Sequence, residues 1–353
     1  MTWLRVFLFP FCLLYGFITW LRNKFFDWGL LSSKAYDIPV ISVGNLSTGG
    51  TGKTPHAEFL IRMLQDEYSI ALVSRGYKRK TRGLVVTGPG STSRDIGDEP
   101  LQIYQKYPDT LVVVHEKRRQ AIEYIRQQHP HINLIIMDDG YQHRYVTPGL
   151  NLLLTEYYKP FFSNYLMPCG NLREFKSGAA RAHALIITKT PKVFSPLDRR
   201  FFLRKLSRFG MRNTFFSFIR YGQWKPLDES TPPKGNTTFR DLFLFTGIAN
   251  TSALEEYLKK HSDELHVIKH SDHHQFRESD LRKLKQQFRD TFGSSKGVVV
   301  TEKDAMRLQD EKLRKIIRHM PVYYIPIEVD LHDEDKEPFL NMVRDFLKNF
   351  PPK

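Results

Sequence analysis

Apolar positions along the chain fall into two alternating patterns. Compact, β-branched runs at residues 38–43, 69–74, 84–87, 111–114, 132–137, 152–155 and 184–188 predict buried strands. Between them, apolar residues spaced three and four apart at 56–64, 101–106 and 119–127 predict helices with one buried face. Strands alternating with helices predict a mostly parallel sheet with helices on both faces. Ligands of such sheets sit outside the carboxyl ends of the strands, so the residues just after each run are the ones to inspect.

Further along, residues 197–212 read as a basic amphipathic helix, either a solvated surface helix or a membrane-facing one. Residues 224–238 then turn polar and rich in proline, which marks a linker. Strands at 242–246, 265–269, 298–301 and 322–327, with helices between them, predict a second, smaller α/β domain that closes on a helix around 338–347. The predicted division is a hydrophobic segment over 1–34, a first domain over 35–223, a linker over 224–238 and a second domain over 239–353.

The N-terminal pattern differs from all of these. Residues 6–21 carry no charge, flanked by Arg5 and by Arg22 and Lys24. The run is short for a membrane-spanning helix, which needs about 20 apolar residues, and Pro10 and Gly16 weaken it further. A signal peptide would be followed by a small-residue cleavage site, and none follows. Trp3, Trp20, Phe25, Phe26 and Trp28 beside basic residues favour a segment lying in the membrane interface over a helix of the globular core.

Composition narrows the class. In 353 residues, 41% hydrophobic content supports packed cores, and the length suits two domains. The two cysteines, Cys12 and Cys169, form no disulfide framework and no metal-ligand spacing, consistent with a reducing compartment. The formal charge of +15 implies an anionic partner. Nucleic acid is disfavoured, because the basic residues are dispersed and no recognition motif accompanies them. No feature marks an obligate protein partner.

The chemistry begins after the first strand. Ser47, Thr48, Gly49, Gly50, Thr51, Gly52, Lys53 and Thr54 form a glycine-rich turn between a strand and a helix, the context of a phosphate-binding P-loop. Such a loop curls its N–H groups around phosphate, with the helix N-terminus behind them. Lys53 is placed to reach the β- and γ-phosphates, and the Thr54 hydroxyl to ligate Mg²⁺. Ser47 stands where the strict pattern has glycine.

The 132–137 strand runs into Asp138 and Asp139, the position at which P-loop proteins carry a metal-binding acid; Asp138 is the conventional ligand of the pair. A GTPase needs Asp-x-x-Gly here and a guanine-reading Asp after a later strand. The chain has Gly140 directly after Asp139, and Thr188-Lys189-Thr190, so ATP is the expected nucleotide. For a general base, Asp98 with Glu99, or the histidines of 271–276, are candidates; their alternatives are a helix cap and surface residues.

Together these stretches resemble the tetraacyldisaccharide 4′-kinase (lipid A 4′-kinase) family of Gram-negative bacteria. The matching residues are Ser42-Val43-Gly44-Asn45 with the 48–55 loop, Ser74-Arg75-Gly76-Tyr77, Gly97-Asp98-Glu99-Pro100 and Asp138-Asp139-Gly140-Tyr141-Gln142-His143. They continue with residues 168–174, 245–249, 272–276 and 301–305. Serine in the first loop position is a trait of that family.

The resemblance implies transfer of the ATP γ-phosphoryl to the 4′-hydroxyl of a tetraacylated disaccharide 1-phosphate, an anionic glycolipid, forming lipid IVA. It implies Mg²⁺, two α/β domains flanking a cleft, and association with the cytoplasmic face of the inner membrane through the N-terminal helix. Carried to this sequence, Asp98 is the base, paired with His273. Thr54, Glu99 and Asp138 serve the metal, and Lys53 and Thr54 the phosphates. Asp139, His143 and Glu174 support the site, and Arg75 and Arg173 partner phosphate or the transition state. The competing expectation is a membrane-tethered P-loop ATPase that drives a partner protein.

Overall fold

The computed structural model describes residues 2–350 apart from 212, 229–230, 232–237, 249, 273 and 294. The chain divides into two compact units, residues 1–219 with 329–353, and residues 220–328.

The strands are Val40–Asn45 (β1), Ile70–Ser74 (β2), Val85–Val86 (β3), Leu111–Val114 (β4), Leu134–Asp138 (β5), Leu150–Glu156 (β6), Ala184–Thr188 (β7), Thr214–Tyr221 (β8), Lys225–Pro226 (β9), Phe239–Thr246 (β10), Ser262–Lys269 (β11), Lys296–Thr301 (β12), Val322–Ile325 (β13) and Ile327–Leu331 (β14). The helices are Thr2–Asp27 (α1), Lys53–Leu64 (α2), Ser93–Ile96 (α3), Asp98–Lys106 (α4), Arg118–Gln128 (α5), Pro196–Ser207 (α6), Ser252–Leu258 (α7), Glu278–Asp290 (α8), Glu302–Arg307 (α9), Glu311–Ile317 (α10) and Asp333–Lys348 (α11).

In the first unit the described strands order β14-β8-β7-β6-β1-β5-β2-β4-β3. The pairs from β8 to β4 are parallel, and the short β3 pairs antiparallel with β4. β1 and β5 are buried along their whole length, which is why their sequences are apolar runs rather than alternating ones. Helices cover both faces: Leu60, Ile61 and Leu64 of α2 pack on one, and Ala121, Ile122 and Ile125 of α5 on the other. The register sets Val43 against Asp138, so the loop after β1 and the acids ending β5 emerge side by side. The expected α/β fold with a mostly parallel sheet is therefore present.

Two expectations need correction, and one strand was not foreseen. The C-terminal helix, expected in the second domain, belongs to the first unit: Phe339, Val343 and Leu347, one turn apart on α11, are buried in the core with Leu60. Arg199 of α6 grips Asp335 through both carboxylate oxygens at 2.9 and 2.6 Å, fastening this helix further. An apolar stripe predicts a buried face but not the partner it meets, here some 280 positions earlier in the chain. The 224–238 segment is not wholly a linker either, since β9 joins the edge of the second sheet antiparallel to β13. Finally β8, whose aromatic sequence was not assigned, is a strand of the main sheet.

The second unit holds a sheet of order β11-β10-β12-β13-β9, with a core of Phe243, Phe245, Val298 and Val300 packed against Leu281 and Leu284 of α8.

α1 is a 26-residue helix, and no described helix is long and apolar enough to cross a membrane. One side of it docks within the first unit. Gly16 meets Leu166 and Phe175, Cys12 is buried, and Phe26 packs edge-on against Tyr145 at 5.0 Å. Phe7, Phe11, Leu14 and Ile18 stand more than half exposed.

Candidate active site

The loop between β1 and α2 is held from outside, leaving its inner side open. Ser47 bridges to Leu172, and the Thr48 amide donates to the Asn171 carbonyl at 2.7 Å. The Asn45 side chain donates through Nδ2 to the Thr51 hydroxyl at 2.7 Å, and the Thr188 hydroxyl to the Thr51 carbonyl at 2.9 Å. Lys189 donates to the Gly50 carbonyl at 2.5 Å and also pairs with Glu156. The β7 end that lacks a guanine-reading Asp thus braces the loop. Gly52, which caps α2, sits at φ +86°, a backbone shape that side-chain-bearing residues seldom adopt. A Cβ built on Gly49 or Gly50 meets nothing within 4 Å, so the middle of the loop borders empty space.

The acids at the end of β5 have contrasting surroundings. Asp138 is buried; its Oδ2 accepts from the Thr54 hydroxyl at 3.0 Å, while its Oδ1 has no hydrogen-bond partner. Burial pushes its pKa up to about 7, with the negative charges of Asp139 and Glu99 adding to the rise against Lys53 and Thr54. Asp139 adopts φ +51°, a left-handed conformation that aspartate tolerates better than most residues. Burial acts to raise its pKa, but Lys53 at 3.8 Å, Arg173 at 3.2 Å and nearby Arg118 outweigh it and hold the carboxylate low.

The residues present fit a divalent cation. A buried carboxylate oxygen without a partner beside a threonine hydroxyl forms an all-oxygen donor set, the kind Mg²⁺ takes. Glu99 lies close enough for its charge to act on Asp138.

Asp98 is buried as the first residue of α4. It follows Gly97, at φ +95°, where a Cβ would meet the Gly76 backbone at 3.2 Å. The tight turn after β2 thereby abuts the turn that sets Asp98, which relates the separate Arg75-Gly76-Tyr77 and Gly97-Asp98-Glu99 stretches. Arg75 is exposed, makes no hydrogen bond or ion pair among the described residues, and contributes positive charge around Arg118 and His143.

His143 is half-buried with an unpartnered Nε2; burial and the charges of Arg118, Arg22 and Arg75 push its pKa down to about 4, so its ring is neutral at physiological pH. Arg173 joins Asp139 to the Gln142 side chain, which it meets at 3.2 Å, and its carbonyl accepts from Tyr15 of α1 at 2.8 Å. Glu174 is buried and accepts from Arg181 at 2.8 Å and Asn23 of α1 at 2.9 Å, so it fastens the N-terminal helix to the loop carrying Arg173.

The structure brings together Lys53, Thr54, Glu99, Asp138, Asp139 and Arg173, with Glu174 behind them. His273 lies outside the described residues. Sequence reasoning missed Arg118, the first residue of α5, which donates to the Asp139 carbonyl at 3.2 Å from a buried position with its Nε unpartnered. A signal existed: a cation at a helix N-terminus opposes the helix dipole, so some other group must hold it there. Gln142 and Asn45 stood in the quoted motifs without roles, and the structure assigns them hydrogen bonds to the Asn45 carbonyl and to Thr51 respectively.

A phosphate-gripping loop abutting a buried metal-type carboxylate at the ends of parallel strands defines the P-loop class of phosphate-handling proteins. The family model described as "Tetraacyldisaccharide-1-P 4'-kinase" matches residues 4–347, and the chain belongs to that family. Relatives named tetraacyldisaccharide 4′-kinase include one from Bacteroides thetaiotaomicron, 40% identical over 94% of this chain and 90% of that protein. Another, from Porphyromonas gingivalis, is 40% identical over 96% of this chain and 95% of its own. A crystal structure of the "apo" form of LpxK from Aquifex aeolicus in complex with ATP superposes with a TM-score of 0.72 at 28% identity, covering 97% of this chain and 99% of that one.

Proposed function

We propose that this chain transfers the γ-phosphoryl group of ATP to the 4′-hydroxyl of a tetraacyldisaccharide 1-phosphate, a lipid A precursor, forming lipid IVA. Membership of the family supports the reaction. The observation that carries it to particular residues is the partnerless Asp138 Oδ1 beside Thr54 of the P-loop. Residues 47–54 cradle the phosphates, with Lys53 reaching the terminal ones. Asp138 and Thr54 hold Mg²⁺, and Glu99 completes its surroundings. When bound, the ion neutralises charge on the β- and γ-phosphates. Asp98 accepts the proton of the acceptor hydroxyl, working with His273. Arg173, oriented by Asp139, and Arg75 stabilise the charge on the transferring group.

The enzyme acts at the cytoplasmic face of the Gram-negative inner membrane, held peripherally. The exposed Phe7, Phe11, Leu14 and Ile18 of α1 support this, being a set of apolar residues on one side of a helix whose other side is docked. Replacing these four by serine should abolish flotation with anionic liposomes while leaving ATP binding intact; unchanged flotation would move the attachment elsewhere.

Labelled ATP with the disaccharide 1-phosphate acceptor tests the reaction. Label should enter a phospholipid product with the full acceptor and not with one lacking the 4′-hydroxyl. Acceptor-independent hydrolysis without lipid product would point instead to an ATPase. Asp98→Ala and His273→Ala should each lower turnover by about 10²–10⁴-fold. The double variant should be little worse than either single one; full additivity would separate the two residues.

A further inference from the structure

We propose that His56 is a positioning residue for the nucleotide: its ring holds the Gly52–Lys53 peptide in the orientation that turns the Lys53 N–H into the phosphate loop, and Ser217 of β8 holds the ring. This rests on reading residues 47–54 as the phosphate cradle.

The Gly52 carbonyl accepts from the His56 amide at 3.1 Å and lies 2.7 Å from His56 Nδ1. A carbonyl oxygen can only accept, so Nδ1 carries the hydrogen. Nε2 is then the acceptor, and at 2.9 Å it receives the Ser217 hydroxyl proton. In a planar trans peptide the C=O and the following N–H point opposite ways, so fixing the Gly52 oxygen fixes the Lys53 N–H. That N–H belongs to the first helical residue and has no partner in the helix, which makes it a phosphate donor. The other braces of the loop, from Asn45, Asn171, Thr188 and Lys189, fall on residues 48–51. Among the described residues, the ring of His56 is the side chain that grips the 52–53 peptide, adding to the helical bond from its own backbone amide.

The anchor is rigid. The Ser217 carbonyl accepts from both the amide and the hydroxyl of Thr190, at 3.0 and 2.9 Å. The Thr190 hydroxyl, its hydrogen committed there, accepts from His332 Nε2 at 2.7 Å. His56 is buried, and burial pushes its pKa down to about 4, so the neutral tautomer this geometry needs persists at physiological pH.

The two halves of the ring separate by substitution in the full-length protein. His56→Asn keeps a donor near the Nδ1 position and loses the reach to Ser217. His56→Gln places its amide near Nε2 and loses Gly52. His56→Phe loses both. ATP affinity by calorimetry should weaken about tenfold in His56→Gln and His56→Phe, the size of one lost hydrogen bond, and stay within about twofold in His56→Asn. KM for ATP should follow affinity while kcat changes less.

Equal loss of affinity in the Asn and Gln variants would overturn the proposal. So would unchanged affinity with a lowered unfolding midpoint, since that is the mark of packing alone. Lys53→Ala serves as the control on the cradle itself. If it binds ATP as the wild type does, the cradle reading falls and this inference with it. If it loses ATP while His56→Gln and His56→Phe do not, only this inference falls.

Discussion

At the end of β5 in the first unit, Asp138 keeps one carboxylate oxygen buried and unpartnered. Past the end of β12 in the second unit, Asp304 is equally buried, yet both its oxygens are committed. It accepts from the hydroxyls of Thr246 and Thr301 at 2.6 and 2.7 Å, from the Gly247 amide at 3.2 Å, and from a fully buried Arg307 at 2.9 Å. Both are aspartates at the carboxyl side of a parallel strand, each beside a threonine. Asp304 staples the ends of β10 and β12 together and has nothing left for a ligand. Asp138 carries an electrostatic cost that the described residues do not offset, in keeping with the cation-binding role proposed for it.

Substitution should separate the two. Asp304→Ala leaves the Arg307 guanidinium buried without its carboxylate, and should lower the unfolding free energy by about 3–5 kcal/mol in urea titrations; a loss below about 1 kcal/mol would mean the staple is dispensable. Phe339→Ala, which empties the core place of α11 in the first unit, should cost a similar 3–5 kcal/mol. A negligible cost would contradict the assignment of that helix to the first unit's core.

Asp138→Asn should behave in the opposite way. Its kcat/KM for ATP should fall about 10²–10³-fold, equivalent to roughly 2.7–4 kcal/mol. Its ligand-free unfolding midpoint should hold or rise, because a buried charge has been removed. A midpoint that drops as in Asp304→Ala would erase the distinction between the two ends.

The smallest effect is in pH. With its pKa raised to about 7, Asp138 remains protonated in the ligand-free fold over a range where the unfolded chain, near 3.8, has lost that proton. The folded state binds more protons there, so ligand-free stability should fall as pH rises from about 4 to 7. Bound protons also compete with metal. Mg²⁺ affinity in the presence of ATP should weaken up to tenfold per unit as pH falls below 7, beyond the slope seen in Asp138→Asn, which isolates the nucleotide's own titration. Identical slopes in the two proteins would assign the whole effect to ATP.

The comparison also shows what the chain made legible. The P-loop and the paired acids were readable because their chemistry is local: a few consecutive residues at a strand end suffice to identify them. The partners of Asp138 and Asp304 were not. Nothing near residue 304 announces that Thr246 and Gly247 will saturate it, and nothing near 138 announces that Oδ1 will be left over. Both facts depend on which strands become neighbours. The same holds for α11, whose stripe was visible but whose core was not, and for Glu174, whose partner Asn23 lies 151 positions earlier in the chain. Arg118 lies between these cases. Its place at a helix N-terminus was a readable anomaly, but only the Asp139 carbonyl beside it explains the anomaly. Arg75 and His143 were expected at the site, and the structure adds the nature of their surroundings: burial, together with a cluster of guanidinium groups, keeps His143 neutral.

The most direct test replaces Mg²⁺ by Mn²⁺ and follows its binding by electron paramagnetic resonance at pH 8 with ATP present, in the wild type and in Asp138→Asn. Mn²⁺ should bind the wild-type complex saturably and the folded variant at least tenfold more weakly. Equal affinity in the two proteins would contradict it, and would show that the partnerless oxygen of Asp138 is not the metal's ligand.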